Sequence, residues 1–264
     1  MKISAGQMFE KSVIVIAHPD DEILWFSSLL KKISAITICF LDIKSKPYIG
    51  IKRQKSLLEH PINISCLGLE ESETFYSADW QNPVVTKFGI EISKKGVSDK
   101  EYRENYYKLK QRLESRLERY INVFTHNPWG EYGNEDHIQV YRVIKELQGK
   151  MKFNLWFSNY CSNISFNLML RYISGFNSEY VTLETDKSLG SCIKGLYEKN
   201  NCWTWYDDWE WFRQESFMND SRLNDGNKKY GHLLPLNMIK FDPSGEAQQK
   251  ADTKAYSWWQ LFTE

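Results

Sequence analysis

Val13-Ile14-Val15-Ile16-Ala17-His18-Pro19-Asp20-Asp21-Glu22 is the stretch from which the fold is read. Its β-branched opening is the composition of a short buried strand. Proline cannot continue a central strand, so the chain turns at Pro19. The residues that follow, 23–32, have helical composition and a basic last turn at Lys31 and Lys32. A histidine and three carboxylates therefore gather at the carboxyl end of a buried strand, facing a helix start. In open α/β sheets that edge is where ligands bind. One acid would serve as a helix cap. The surplus here points instead to a metal held by imidazole and carboxylate.

The pattern then repeats. Strands are expected at 36–42, 64–69, 122–126 and 153–157, with helices at 51–60, 99–120 and 138–148. In the 99–120 helix Tyr102, Tyr106, Leu109, Leu113 and Leu117 fall at helical intervals, giving an apolar stripe on an otherwise solvated face. Alternation of this kind predicts an α/β fold: a Rossmann-like parallel sheet with helices on both faces. Residues 70–98 read as a long loop crossing the ligand edge. The first turn lacks Gly-x-Gly-x-x-Gly, which argues against a dinucleotide, and Asp42 reads as a turn cap.

Beyond residue 161 the pattern loosens. A strand at 180–184 and a helix at 187–197 precede Trp203-Thr204-Trp205-Tyr206-Asp207-Asp208-Trp209-Glu210-Trp211-Phe212. This aromatic run reads first as core packing, with one or two rings left for a ligand. Residues 1–264 are expected to form a single domain, 161–264 being an aromatic-rich C-terminal elaboration, since no Pro/Gly/Ser-rich linker intervenes.

Charge narrows the partners. Lys+Arg and Asp+Glu both number 34, so no net field attracts nucleic acid or an anionic membrane. No stretch has the length of a membrane span, and the start lacks the apolar core of a signal peptide. Five scattered cysteines without metal-ligand spacing suit a reducing, cytoplasmic setting.

The fourth expected strand also ends in a histidine, His126, and leads through a glycine-punctuated loop to Gly133-Asn134-Glu135-Asp136-His137. If the first and fourth strands adjoin at a topological switch point, His18, one of the two aspartates and His137 can share a divalent ion. Two imidazoles and a carboxylate with open positions form a catalytic set. The remaining aspartate is then the general base, and chemistry alone does not decide which acid is which.

Ala17-His18-Pro19-Asp20-Asp21-Glu22 together with Gly133-Asn134-Glu135-Asp136-His137 resembles the LmbE-like (PIG-L) zinc de-N-acetylase family, over roughly residues 12–160. The resemblance implies a Rossmann-like sheet, a Zn2+ cofactor and hydrolysis of the acetyl amide of an N-acetylated amino sugar, free or nucleotide- or lipid-linked. It makes His18, Asp21 and His137 the zinc ligands and Asp20 the general base. Many members read Gly-His-x-Asp-His at the second motif, with the first histidine at the oxyanion; here Asn134 stands in its place. An amide can donate to an oxyanion but cannot pass a proton to the leaving amine, a task left to Asp20 or His126. Arg53 is the substrate-binding candidate, with a solvated helix face as the simpler alternative. Asp136 is expected to orient a ligand or the loop, or to cap the helix. Two other readings stand beside this one: a degenerate member that binds sugar or metal without turnover, and a non-haem iron oxygenase, which would normally be built on a β jelly roll.

Overall fold

The computed structural model describes residues 8–172, 180–220 and 234–243. Within them the chain orders β1 (Ser12–Ile16), α1 (Asp21–Trp25), β2 (Ala35–Asp42), α2 (Ile49–Leu58) and β3 (Ile64–Glu70). There follow β4 (Val85–Thr86), β5 (Gly89–Ile90), α3 (Lys100–Leu117), β6 (Asn122–Thr125), α4 (Glu135–Met151) and β7 (Asn154–Ser158). The last elements are β8 (Tyr160–Ser162), α5 (Phe166–Tyr172), β9 (Tyr180–Glu184), α6 (Lys187–Lys199), β10 (Gln214–Asn219) and β11 (Asn237–Ile239). A seven-stranded sheet runs β3-β2-β1-β6-β7-β10-β9.

β1 pairs in parallel with β2 on one side and β6 on the other, Val13 lying opposite both Ala35 and Val123. The order reverses between β1 and β6, so the ends of these strands form the crevice expected of a switch point. All five residues of β1 are buried, which is why it reads as an unbroken β-branched run instead of an alternating one. Its two faces separate the core. Ile14 and Ile16 pack toward Trp25, Phe124 and the tryptophan-rich segment. Val13 and Val15 pack toward Tyr106, Leu109, Leu113 and Leu117 of α3, and toward α4.

The structure corrects the sequence reading in two places. The helix expected over 23–32 stops at Trp25, and residues beyond it turn through i→i−3 bonds such as Leu29 N–H to Phe26 O at 2.9 Å. The buried carboxylate of Glu215 accepts Ser28 N–H at 2.8 Å and the Tyr160 hydroxyl at 3.0 Å, drawing the chain away from a helical path. The sheet is also mixed: β10 pairs antiparallel with β7 and with β9. β10, Gln-Glu-Ser-Phe-Met-Asn, has four polar residues of six yet is almost wholly buried, so hydrophobic alternation did not announce it. The 70–98 loop carries the short β4–β5 hairpin. Among the described residues no helix is long and apolar enough to cross a membrane.

Burial pushes the Glu215 carboxyl up, so this fold asks for an acceptor there more than for a charge. Glu215→Ala strands Ser28 N–H and the Tyr160 hydroxyl and should cost about 2–4 kcal/mol, whereas Glu215→Gln should cost under about 1 kcal/mol. Urea unfolding of the two variants reads the difference.

Candidate metal centre

The centre is built from two turns at the β1/β6 crevice. The first is held in an unusual shape. Asp20 has φ 95°, a region few L-residues enter, and its N–H donates to Glu22 Oε2 at 3.0 Å. Glu22 is fully buried, and its other oxygen accepts the Tyr197 hydroxyl at 2.7 Å. Asp21 opens α1. Its Oδ2 accepts His18 N–H at 2.7 Å and its Oδ1 accepts the Trp25 indole at 2.9 Å, which fixes the carboxylate in one orientation.

The second turn relies on glycine and asparagine. Gly130 has φ 69°, and a Cβ there would lie 2.5 Å from Asn134 O. Asn127 Oδ1 accepts the N–H groups of Trp129 and Glu131 at 3.2 and 3.0 Å, folding the loop under itself. Asn134 caps α4: its Oδ1 accepts Asp136 N–H at 2.9 Å and His137 N–H at 3.3 Å. His137 thereby occupies the first helical turn and faces Asp21.

His18, Asp21 and His137 bring one ligand atom each to within 4.8 Å of one another. His137 Nε2 lies 3.3 Å from Asp21 Oδ1, is buried, and has no hydrogen-bond partner among the described residues. Its other nitrogen, Nδ1, lies 2.9 Å from Glu131 Oε2. That carboxylate accepts a hydrogen bond from Nδ1–H, which keeps the proton on Nδ1 and leaves the Nε2 lone pair directed at the cluster. His18 Nε2 is likewise buried and without a hydrogen-bond partner among the described residues, lying 3.5 Å from Asp136 Oδ2, while Nδ1 lies 3.4 Å from Asp21 Oδ2. An imidazole with a carboxylate behind it is the arrangement that orients metal-binding histidines. The donor set of two imidazoles and one carboxylate, with an orphaned buried nitrogen among them, fits a divalent ion.

The electrostatics favour a cation as well. Burial works to lower the His18 pKa, but Glu71, Asp136 and Asp21 outweigh it and raise the value well above the ordinary one. Asp21 is held well below the carboxylate range; burial opposes this, and the imidazoles of His137 and His126 override it. Asp20 behaves oppositely: burial and the neighbouring Asp21 charge push it up to about 8.

Asp20 lines a cavity of about 300 Å³ with His18, Asp21, Arg53, Asn134 and Asp136. Its Oδ2 accepts the Thr204 hydroxyl at 2.7 Å. Phe75, Tyr132, Trp205, Tyr206 and Phe241 form the apolar wall. The aromatic run is thus divided: Trp211 is buried, its indole donating to Ile23 O, whereas Trp205 and Tyr206 reach the cavity. Trp258, Trp259 and His232 lie outside the described residues.

Three expected residues sit differently from their anticipated roles. His126 does not line the cavity. It is fully buried, Nε2 accepts Ala17 N–H at 2.9 Å, Nδ1 meets Glu131 at 3.1 Å, and its ring stacks on His137 at 3.7 Å. Both nitrogens are occupied, so it supports His137 from behind. Arg53 is neither solvated nor free: it is 3% exposed and donates to Glu71 Oε1 at 2.6 Å and Leu41 O at 3.0 Å. The Asn134 oxygen caps the helix, and its Nδ2 donates to the Tyr132 hydroxyl at 2.8 Å.

Glu131 and Tyr132 were not singled out in the sequence, nor was Thr204. The signal for Glu131 was available: a glutamate between two glycines, immediately before a histidine-bearing helix start. The 70–98 loop does cross the ligand edge, and α4 pins it there. Glu135 accepts Tyr76, Ser77 and Ala78 N–H at 2.7–3.0 Å, and Asp136 accepts the Ser72 hydroxyl at 2.7 Å.

No protein-family model and no curated protein matches the chain. Solved structures do. A deacetylase–teicoplanin complex from the teicoplanin biosynthesis pathway is similar at 10% identity and a TM-score of 0.50, covering 79% of this chain and 97% of that chain. The zinc-inhibited form of a teicoplanin deacetylase is similar at 10% identity and a TM-score of 0.51, with the same coverage. At this identity the likeness establishes a shared α/β fold. It leaves no jelly roll for the iron-oxygenase reading.

Glu131→Gln keeps the shape and removes the charge that sets the His137 tautomer. Zn2+ affinity, measured by competition with a chromogenic chelator, should fall about 10–100-fold. His137→Ala should lose high-affinity binding altogether, and unchanged affinity in both would remove His137 from the centre.

Proposed function

We propose that the protein is a metal-dependent hydrolase that removes the acetyl group from the amide nitrogen of an N-acetylated amino sugar or sugar conjugate, with Zn2+ held by His18, Asp21 and His137. The observation that carries this reading is the Asp20 carboxylate beside a two-histidine, one-aspartate cluster whose buried His137 Nε2 has no hydrogen-bond partner among the described residues. The resemblance of the two motifs to LmbE-like de-N-acetylases supports the reaction. The fold neighbours, described as deacetylases of teicoplanin and its biosynthesis pathway, support removal of an acetyl group.

The chemistry that a divalent ion supplies in such a donor set is Lewis acidity and a water of lowered pKa. The remaining work falls to the chain. Asp20 accepts one proton of the attacking water and hands it to the nitrogen as the C–N bond breaks, and the acetic acid formed gives the second to the amine, so that acetate and an ammonium ion leave. Thr204 holds one carboxylate oxygen of Asp20 and leaves the other for this transfer. The Tyr132 hydroxyl accepts from Asn134, and its own proton has no acceptor among the described residues. It is therefore the donor offered to the developing oxyanion, and Asn134 acts through it. This pairing accounts for Asn134 where many members of the resembling family carry histidine.

Asp20 is not a ligand in this scheme, so Asp20→Asn should keep one Zn2+ per chain while acetate release falls about 10²–10⁴-fold. Tyr132→Phe should retain metal and lose about 10²-fold in kcat. Metal analysis beside acetate release from N-acetylhexosamine glycosides tests both. Acetate release by metal-loaded Asp20→Asn at the wild-type rate would remove the general base, and a metal-loaded wild type inert on every donor would favour a binding role without turnover.

A further inference from the structure

The most exposed large apolar side chains of this protein share one helix face. Leu58, Tyr48 and Ile51 are 79%, 73% and 69% exposed, above every other large hydrophobic among the described residues. At about 100° per residue, Tyr48, Ile51, Lys55 and Leu58 fall within roughly 80° of arc, so they form one stripe along α2. The opposite face is fastened: Gly50, Arg53, Ser56 and Leu57 are buried, where α2 meets β2 and α6. Apolar residues scattered singly over a surface need no explanation, whereas a stripe rimmed by polar groups marks an interaction site.

The rim of this stripe is cationic. The chain has no net charge, yet residues 43–58 hold five cations, Lys44, Lys46, Lys52, Arg53 and Lys55, and no acid. Arg53 is used internally by Glu71. Lys44, Lys52 and Lys55 are exposed, and none of the three is ion-paired among the described residues. The nearest acids are engaged elsewhere. Asp42 lies against Gly50 on the buried side of α2, Glu59 pairs with Lys199 at 2.9 Å, and Glu73 accepts Ser45 N–H and lines the cavity. Such a face selects its occupant. A second copy meeting it through a two-fold axis would set lysines against lysines. The outer side of a single helix is convex, a shape that a deformable surface accommodates. Lysine stems can lie beside apolar neighbours while their ammonium groups reach phosphate.

We infer that the outward face of α2 docks on an anionic phospholipid bilayer, with Tyr48, Ile51 and Leu58 entering the headgroup layer and Lys44, Lys52 and Lys55 meeting its phosphates. An amphipathic surface of this kind binds through buried apolar area together with attraction to anionic lipid. The segment 43–48 that leads into α2 also contributes Ile43 and Lys46 to the cavity rim, so docking sets the cavity mouth beside the bilayer. The inference does not depend on the hydrolase reading.

The test is flotation of the full-length protein, loaded with Zn2+, on vesicles of phosphatidylcholine alone and on vesicles that also contain about 30% phosphatidylserine. Apparent affinity should be at least about tenfold higher on the anionic vesicles and should fall several-fold at about 0.5 M NaCl. Lys52→Ser with Lys55→Ser should lower it about tenfold or more. Ile51→Ser with Leu58→Ser should lower it to a similar extent. None of the four side chains lines the cavity or belongs to the metal centre. Zn2+ affinity and the thermal midpoint should therefore stay at wild-type values, which separates lost docking from misfolding. Equal binding to both vesicles, binding to neither, or wild-type binding by both paired variants overturns the inference. So does a dimer, seen by sedimentation velocity, that Ile51→Ser with Leu58→Ser dissolves while vesicle binding persists, since the face is then a self-contact.

Discussion

The centre depends on one buried carboxylate. Glu131 is fully buried, and its Oε2 meets the Nδ1 atoms of both His126 and His137, while Oε1 accepts Asn127 N–H and the Ser158 hydroxyl. Burial alone would raise its pKa, but the two histidines draw it down to about 2, so it is ionised. An ionised acceptor between two imidazoles places a proton on each Nδ1 and leaves each Nε2 with a lone pair. The His126 lone pair accepts Ala17 N–H and ties the end of β6 to the end of β1. The His137 lone pair faces Asp21. A single charge thus sets two tautomers, joins two strand ends and orients a candidate metal donor. Breaking such a buried pair by removing one partner typically costs about 3–5 kcal/mol, because the other is left unpaired.

Around that carboxylate the site is assembled from segments far apart in sequence, and each is fastened by polar groups that would be costly to bury alone. Glu135 gathers three N–H groups of the 70–98 loop, which brings Glu71, Glu73 and Phe75 to the cavity. Its own carboxyl is pushed up to about 7 by burial, only partly offset by those three donors. The segment 203–212 is fastened at both ends. Trp211 donates to Ile23 O and Thr204 to Asp20, with Trp205 and Trp209 packed edge-on against Trp25 between them. The aromatic run therefore closes the Asp20 turn over α1 as well as filling the core, a role that composition alone does not reveal.

What the sequence disclosed follows from how local each signal is. β1 and the stripe of α3 depend on side-chain periodicity within one element, and the structure reproduces both. The adjacency of β1 and β6 stood in the sequence only as a condition that the fold class permits, and the parallel pairing of the two strands meets it. β10 escaped notice because its burial comes from its neighbours β7 and β9 and from polar groups satisfied at long range, such as Glu215 with Tyr160. The same reason hid Thr204 and misplaced His126. A hydroxyl 184 positions from its aspartate and an imidazole whose acceptor and donor lie on different elements carry no mark in a one-dimensional pattern. Arg53, the substrate-binding candidate, lines the cavity, and Glu71 and the end of β2 hold its guanidinium inside, away from the solvated face that was its alternative.

The shape of the first turn explains why two adjacent aspartates can have unlike surroundings. Consecutive residues diverge in any regular element, to opposite faces of a strand or about 100° around a helix. A φ of 95° at Asp20 sets the direction of that divergence here, placing Asp20 toward Thr204 and the cavity while Asp21 starts α1 and turns toward the histidines. Such a conformation costs about 1–3 kcal/mol in a residue with a side chain and persists only where its surroundings over-determine it. Glu22 supplies that constraint, since it accepts Asp20 N–H with one oxygen and is itself fixed by Tyr197 of α6 through the other. Glycine would adopt the same backbone at lower cost but would leave no group to meet Thr204. The divergence of the two carboxyls, one held well below the carboxylate range and the other raised to about 8, is thus a consequence of backbone geometry that the third acid of the motif maintains.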